Sequence, residues 1–444
     1  MRDRTALMLA KRHALPTVAR SLRLDDDAVQ CTWHAAFVYS ECMIAVVPNL
    51  RRRPPPSPHF PVGGPVPGPD LVGREAYLRR LVERLHDGTH VLVAGPRRIG
   101  KTSIIHEALR RLGRKGALVA YVDCLGATDL RGLGEQLANA ALAPLTGTER
   151  TLDQARDLAQ GRSLGRLRYA DLAPLLALAR ERSATRAFEI ALDVPRLVAT
   201  RSGRRVVVAL DEFQAAGRLG PRAFDVMRAH FQAQRGVAYA FLGSEEGVLE
   251  ELFSEKGRAF YRFAQPLDLA EPGGDARFGI APEDWVRYLI EKYRAKRVRI
   301  GEAEVDRILD ATGGHPQDTM QVCARLLELA RDAGVGTVDG DLVGIAYEQS
   351  LRELERPFAL HWAELAKHKY LQQVAKRIAH GAVLYAPGAG GAVPRAEVLR
   401  ALDALRARGL VVRIARGRYE FLEPMFGEYV RRLDESPLSS IVRH

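Results

Sequence analysis

The stretch Val91-Leu92-Val93-Ala94-Gly95-Pro96-Arg97-Arg98-Ile99-Gly100-Lys101-Thr102-Ser103 constrains this chain more than any other. Four apolar residues run into a loop framed by two glycines, and Ile104, Ile105, Ala108, Leu109 and Leu112 then recur at helical spacing. A strand, a glycine loop and a helix in that order bring backbone N–H groups and a helix N-terminus together, an arrangement that suits phosphate oxygens. Gly95, then Pro96, Arg97, Arg98 and Ile99, then Gly100, Lys101 and Thr102 follow the P-loop spacing. Gly100 lets the backbone come close, Lys101 is placed to offset β/γ-phosphate charge, and the Thr102 hydroxyl to help hold Mg²⁺. With Ser103 closing the motif, nucleotide binding is the expectation.

A second run, Val206-Val207-Val208-Ala209-Leu210-Asp211-Glu212-Phe213-Gln214, has the continuous apolar character of a strand buried on both faces of a parallel sheet. Ligands gather at the carboxyl ends of such strands. Asp211 is therefore expected to serve Mg²⁺, and Glu212 to polarise an attacking water as general base. Val237 to Leu242 reads as another buried strand, and Ser244 just past it is a candidate sensor of the γ-phosphate. Arg258 and Arg262 precede a short strand from Gln265; Arg262 is a candidate to complete a neighbouring subunit's site.

At 444 residues the chain calls for two or three domains, and its 47% hydrophobic content is enough for sizeable cores. The net charge of +12 favours an acidic partner such as nucleic acid. Cys31, Cys42, Cys124 and Cys323 have neither disulfide-framework nor zinc-site spacing, which suggests a reducing, cytoplasmic setting. The longest apolar runs are far below a membrane span, so no membrane partner is expected. Residues 1–69 read as a disordered extension ending in a proline-rich linker, with eight prolines between Pro54 and Pro69. The core is expected over 70–270, helices over 271–355, a further unit over 356–435 and a tail over 436–444.

In that further unit, a helix around Glu364 to Ala379, a glycine-rich loop from Pro387 to Gly391 and a helix from Arg395 to Arg408 lead to two strands around Arg416-Gly417. Helix, helix and hairpin make a winged helix. Arg395, Arg400, Arg406, Arg408, Arg413, Arg416 and Arg418 outnumber Glu397, Asp403 and Glu420, a basic face suited to double-stranded DNA, although winged helices also serve as protein contacts.

Together, Leu71 to Glu75, Gly95 to Thr102, Leu210 to Gln214, Gly243-Ser244, Phe260 to Arg262 and Gly313-Gly314-His315-Pro316 resemble the archaeal-type ATPase family, a P-loop group in the AAA/STAND-like class. The resemblance implies an α/β fold with a five-stranded parallel sheet flanked by helices, the strand carrying Asp211 beside the P-loop strand, then a helical lid and a winged helix. It also implies ATP as the nucleotide, with Gly314 and Pro316 leaning the lid on the adenine and Val72 to Arg74 meeting it from the other side. One departure is that only Arg325 stands near the position of a second sensor arginine. The function expected is ATP hydrolysis coupled to DNA or a protein, with a possible homo-oligomer. The alternative is a slow nucleotide-gated switch or transcription regulator.

Overall fold

Alternate residues of one apolar run serve opposite faces of a sheet. Val206, Val208 and Leu210 of β3 (Val206–Asp211) enter one core, while Val207 and Ala209 enter another. Every residue of β3 and of β4 (Val237–Gly243) is buried, as a parallel sheet covered on both faces requires. The computed structural model describes residues 60–66, 68–146, 177–244, 246–269, 278–384 and 393–433. The expected extension as far as residue 59, the apolar run at 172–176, the glycine loop at 387–391 and the tail at 436–444 lie outside these.

Five strands form one parallel sheet in the order β2-β3-β4-β1-β5, where β1 is Val91–Ala94, β2 is Leu118–Asp123 and β5 is Gln265–Pro266. This corrects one expectation: β3 is not beside the P-loop strand, because β4 lies between them. Val91 pairs with Ala240, and Val206 pairs with Val237. Two strand spacings of about 4.8 Å separate β1 from β3. The helix leaving the P-loop therefore crosses the carboxyl end of β4 to reach β3.

Helices α1 (Glu75–Asp87) and α2 (Lys101–Arg114) cover one face, with Leu78, Leu81, Leu85, Ile104, Ile105 and Leu112 packed on Val91, Val93, Val207 and Ala240. The other face is covered by α3 (Leu130–Thr146), α4 (Ala184–Leu192), α5 (Val194–Ser202), α6 (Ala223–Phe231) and α7 (Glu246–Ser254). Phe213, Phe241, Phe253 and Phe260 meet there with centroids 4.7 to 6.1 Å apart. This aromatic cluster ties the loop after β3 to the segment that carries Arg262.

Beyond the sheet come α8 (Pro282–Arg294), α9 (Glu302–Thr312), α10 (Pro316–Asp332) and α11 (Gly340–Ala366). The expected division at 355 and 356 falls inside α11, which runs unbroken through Pro357. Proline removes one helix hydrogen bond, and Pro357 is on an exposed face where water can reach the released carbonyl. The expected helix from Glu364 to Ala379 is interrupted: α11 ends at Ala366, Tyr370 adopts a left-handed φ of 66°, and α12 (Leu371–Ala379) begins. Then follow α13 (Arg395–Ala407), the antiparallel hairpin β6 (Val411–Ala415) and β7 (Arg418–Phe421), and α14 (Pro424–Arg432). One apolar core runs from Trp285 and Leu326 of the lid through Phe358 to Val398, Leu405 and Phe426.

The end of the proline-rich segment also departs from expectation. Phe60 is buried in the lid core with its ring 5.2 Å from that of Tyr293, and the Val66 N–H donates to Ser103 Oγ at 2.9 Å. Asp70 is buried, accepting from Tyr288 and pairing with Lys292. An isolated aromatic among prolines has no periodicity to mark it as an anchor. Cys124 and Cys323 are buried free thiols. Among the described residues no helix is long and apolar enough to cross a membrane.

Candidate active site

The loop after β1 turns at Arg98 and Gly100, both with left-handed backbone (φ 66° and 93°). A Cβ on Gly100 would meet nothing within 4 Å, so the backbone there faces open space. Lys101 opens α2; it is buried, and its ammonium donates to the carbonyls of Gly95 (2.6 Å) and Pro96. Ile99 is in the core beneath the loop, and Ser103 turns inward to the Val66 N–H. Arg97 and Arg98 are exposed at the loop's tip.

Thr102, in the first turn of α2, donates its hydroxyl to Asp211 Oδ2 at 2.7 Å. The crossover of α2 thus brings together two motifs 109 residues apart in sequence. The Tyr121 hydroxyl, from neighbouring strand β2, donates to the same oxygen at 2.9 Å, and the Glu212 N–H donates to Asp211 Oδ1 at 2.9 Å. Burial, then the charge of Asp211, pushes the Tyr121 phenol up, so it stays a donor. Tyr121 was missed by sequence reasoning; it stands on the half-buried face of β2, opposite Leu118, Ala120 and Val122, and the alternation there carries no chemistry of its own. Beside it His106, 4.4 Å from the Tyr121 ring, has its pKa lowered by burial.

Glu212 has the left-handed φ of 47°, unusual for a residue with a side chain. That turn, at the end of β3, swings its carboxylate toward β4. There Oε2 accepts from Ser244 Oγ at 2.9 Å and from Gln214 Nε2 at 2.5 Å. Ser244 and Gln214 are both buried. Asp123, at the end of β2 in register with Asp211, accepts from the Leu125 N–H; burial raises its pKa.

The remaining expected residues surround this centre unevenly. Val72 belongs to the lid core. Arg74 is buried, and its guanidinium donates to the carbonyls of Ile99 (3.3 Å) in the phosphate loop and Leu269 (3.2 Å) after β5; burial lowers its pKa to about 10. Gly314, at φ 65°, is in the turn between α9 and α10, and Pro316 starts α10. Arg325 pairs with Glu328 and Glu353. Arg262 is exposed, its guanidinium 5.6 Å from the Tyr261 ring. Among the described residues no hydrogen bond ties it to Lys101, Asp211 or Glu212. Arg258 pairs with Glu251 and Glu255.

The C-terminal helices close over the same face. Arg98 Nη1 donates to Glu423 Oε1 at 2.6 Å, and the Met425 N–H donates to Asp318 Oδ2 in the first turn of α10. A Cβ on Gly409 would be 3.1 Å from the Ser244 carbonyl, and one on Gly247 would be 3.1 Å from Ala407 Cα. The end of α13 is therefore seated on the segment just past β4.

Hydroxyl and carboxylate oxygens, converging at Thr102 and Asp211, are the donor type Mg²⁺ takes, and the loop at Gly100 leaves the backbone open to a phosphate. Residues 71–271 match the family described as an ATPase domain predominantly from Archaea. The Walker-type ATPase PABY2304 of Pyrococcus abyssi has the same fold: TM-score 0.61 and 18% identity, covering 84% of this chain and 99% of that one. The ORC2 protein of Aeropyrum pernix, solved in ADPNP-ADP complexes, gives a TM-score of 0.49 at 15% identity, covering 89% of this chain and 97% of that one. No curated protein matches the sequence.

Proposed function

We propose that this chain, whose residues 71–271 match the family described as an ATPase domain predominantly from Archaea, binds ATP with Mg²⁺ and hydrolyses it to ADP and phosphate. The observation that carries this reading is the 2.7 Å bond from Thr102 to Asp211, which unites the phosphate loop and the acidic strand end in one site. Lys101 and the N–H groups from Gly95 to Thr102 bind the phosphates. Thr102 and Asp211 hold Mg²⁺, which supplies charge neutralisation on the phosphate oxygens. Glu212 takes the proton of the attacking water, and Ser244 orients the Glu212 carboxylate. Arg262, exposed on its loop, is the residue for completing the site of a neighbouring copy. Val72, Arg74, Gly314 and Pro316 form the side toward the base.

The lid and the last helices transmit nucleotide state to a partner. The partner we favour is double-stranded DNA: Arg395, Arg400 and Arg406 on α13 and Arg413, Arg416 and Arg418 on the hairpin are all exposed. A second reading, a slow nucleotide-gated switch, is favoured by one observation: Glu423 is bound to the phosphate-loop residue Arg98. Phosphate release from Mg²⁺-ATP, with and without duplex DNA at two salt concentrations, tests both. The first reading expects turnover that Lys101→Ala abolishes and DNA alters in a salt-dependent way. ATP-dependent assembly with negligible turnover selects the switch, and failure to bind ATP overturns both.

A further inference from the structure

Gln214 differs from the other polar residues of the site in one respect. Its side-chain amide is buried, with the residue 7% exposed, yet its carbonyl Oε1 has no hydrogen-bond partner. Its Nε2 donates to Glu212 Oε2. The amide cannot be turned over to satisfy the carbonyl instead, because that would set Oε1 against a carboxylate oxygen, acceptor against acceptor. Room for this arrangement comes from Gly243, the last residue of β4. A Cβ there would be 2.2 Å from Gln214 Oε1 and 2.6 Å from Leu249 Cδ1.

A buried acceptor left unpaired costs free energy, and such groups persist where something other than stability is served. What Gln214 serves is visible at its other end. Glu212 leaves β3 in the left-handed region, and at the place to which that turn carries it, side-chain contacts fix its carboxylate. Two donors, Gln214 Nε2 and Ser244 Oγ, converge on Oε2. Both therefore hold one oxygen and leave Oε1 of Glu212 outside the clamp.

We infer that Gln214 is a positioning residue for the general base, holding Glu212 so that Oε1 is the oxygen presented to the attacking water. This rests on the assignment of Glu212 as base made above. The unpaired carbonyl of Gln214 is the cost of placing its amide nitrogen where Glu212 needs it. Gly243 is part of the same device, since a methyl group there displaces the amide.

The test compares Gln214→Met, which keeps side-chain volume and removes both the donor and the unpaired acceptor, with wild type and Glu212→Gln. Its readouts are ATP affinity, kcat and thermal unfolding. The expected result is a loss in kcat of about 10²-fold with ATP affinity unchanged. Thermal stability is unchanged or raised, since the unpaired acceptor has gone. Gly243→Ala, with Gln214 intact, reproduces the loss of kcat.

If Glu212→Gln is inactive while Gln214→Met turns over normally, the clamp is irrelevant and the inference is overturned with the base assignment intact. A loss of activity that tracks a fall in thermal stability, with ATP affinity falling alongside kcat, also overturns it, by showing a structural role. If Glu212→Gln itself hydrolyses ATP normally, the reading beneath the inference has failed.

Discussion

Arg98 and Glu423 are 325 positions apart and meet at 2.6 Å, joining the tip of the phosphate loop to the residue that begins the last helix. Both side chains keep some contact with solvent (43% and 19% exposed), so the pair adds little to stability, about 0–1 kcal/mol. Its interest is positional. Arg98 belongs to the loop proposed to hold phosphates, and Glu423 stands two residues from Met425, whose N–H is bound to Asp318 at the start of α10. The loop is thus joined by hydrogen bonds to the start of α14, and through it to α10.

Charge reversal tests this coupling. Glu423→Arg and Arg98→Glu are each expected to shift ATP turnover, at near-constant unfolding temperature, and the doubly reversed protein to return to within about twofold of wild type. The measurement is a double-mutant cycle on turnover. Additive effects of the two changes contradict the coupling.

Asp211 accepts from Thr102, Tyr121 and the Glu212 N–H. Tyr121→Phe removes one donor and leaves the acceptor served, so it is expected to cost about 1 kcal/mol of stability and to preserve Mg²⁺-ATP binding. Asp211→Ala strands two hydroxyl donors and is expected to cost more, about 1–3 kcal/mol, while weakening Mg²⁺-dependent binding. Denaturant unfolding with nucleotide titrations separates the two. Equal loss of binding in both variants argues that Asp211 acts on structure alone.

His90 gives a stability dependence on pH away from the site. Its Nδ1 accepts from the Tyr239 N–H, its ring stacks on Phe263 at 4.5 Å, and burial, then the nearby Arg228, lowers its pKa to about 4. The unfolded chain, with a histidine pKa near 6.5, takes up this proton first. The contribution is therefore complete above about pH 6.5, falls as pH drops toward 4, and amounts to about 3 kcal/mol. Unfolding of His90→Gln between pH 4 and 7 is expected to show a shallower slope than wild type, and an unchanged slope contradicts this.

Phe60 anchors the end of the proline-rich segment in the lid core. Phe60→Ala is expected to cost about 3 kcal/mol by opening a cavity beside Tyr293. Thermal unfolding checks it, and a loss below about 0.5 kcal/mol, the range of surface substitutions, contradicts the anchor.

What could be read from the sequence was whatever local pattern controls. The unbroken run before Asp211 marks β3 because a strand covered on both faces has no polar side, and the loop from Gly95 to Thr102 carries its own spacing. Strand order was not legible. That β4 separates β1 from β3 depends on how crossover helices pack, and nothing in either strand records its neighbour. The division expected at 355 and 356 falls beside Pro357, and proline ends many helices, but α11 presents this one to solvent and continues. The contacts of Tyr121, Gln214 and Glu423 were illegible for a shared reason: each is set by tertiary packing, and although Gln214 stands in the run that follows β3, nothing in that run names its partner.

The most direct measurement is a comparison of Glu212→Gln with wild type for ATP binding and for phosphate release under single-turnover conditions. Glu212→Gln keeps the size of the side chain and removes its basicity, so the account expects ATP affinity within about threefold of wild type and phosphate release slowed by about 10²-fold or more. Phosphate release at the wild-type rate from Glu212→Gln would contradict it.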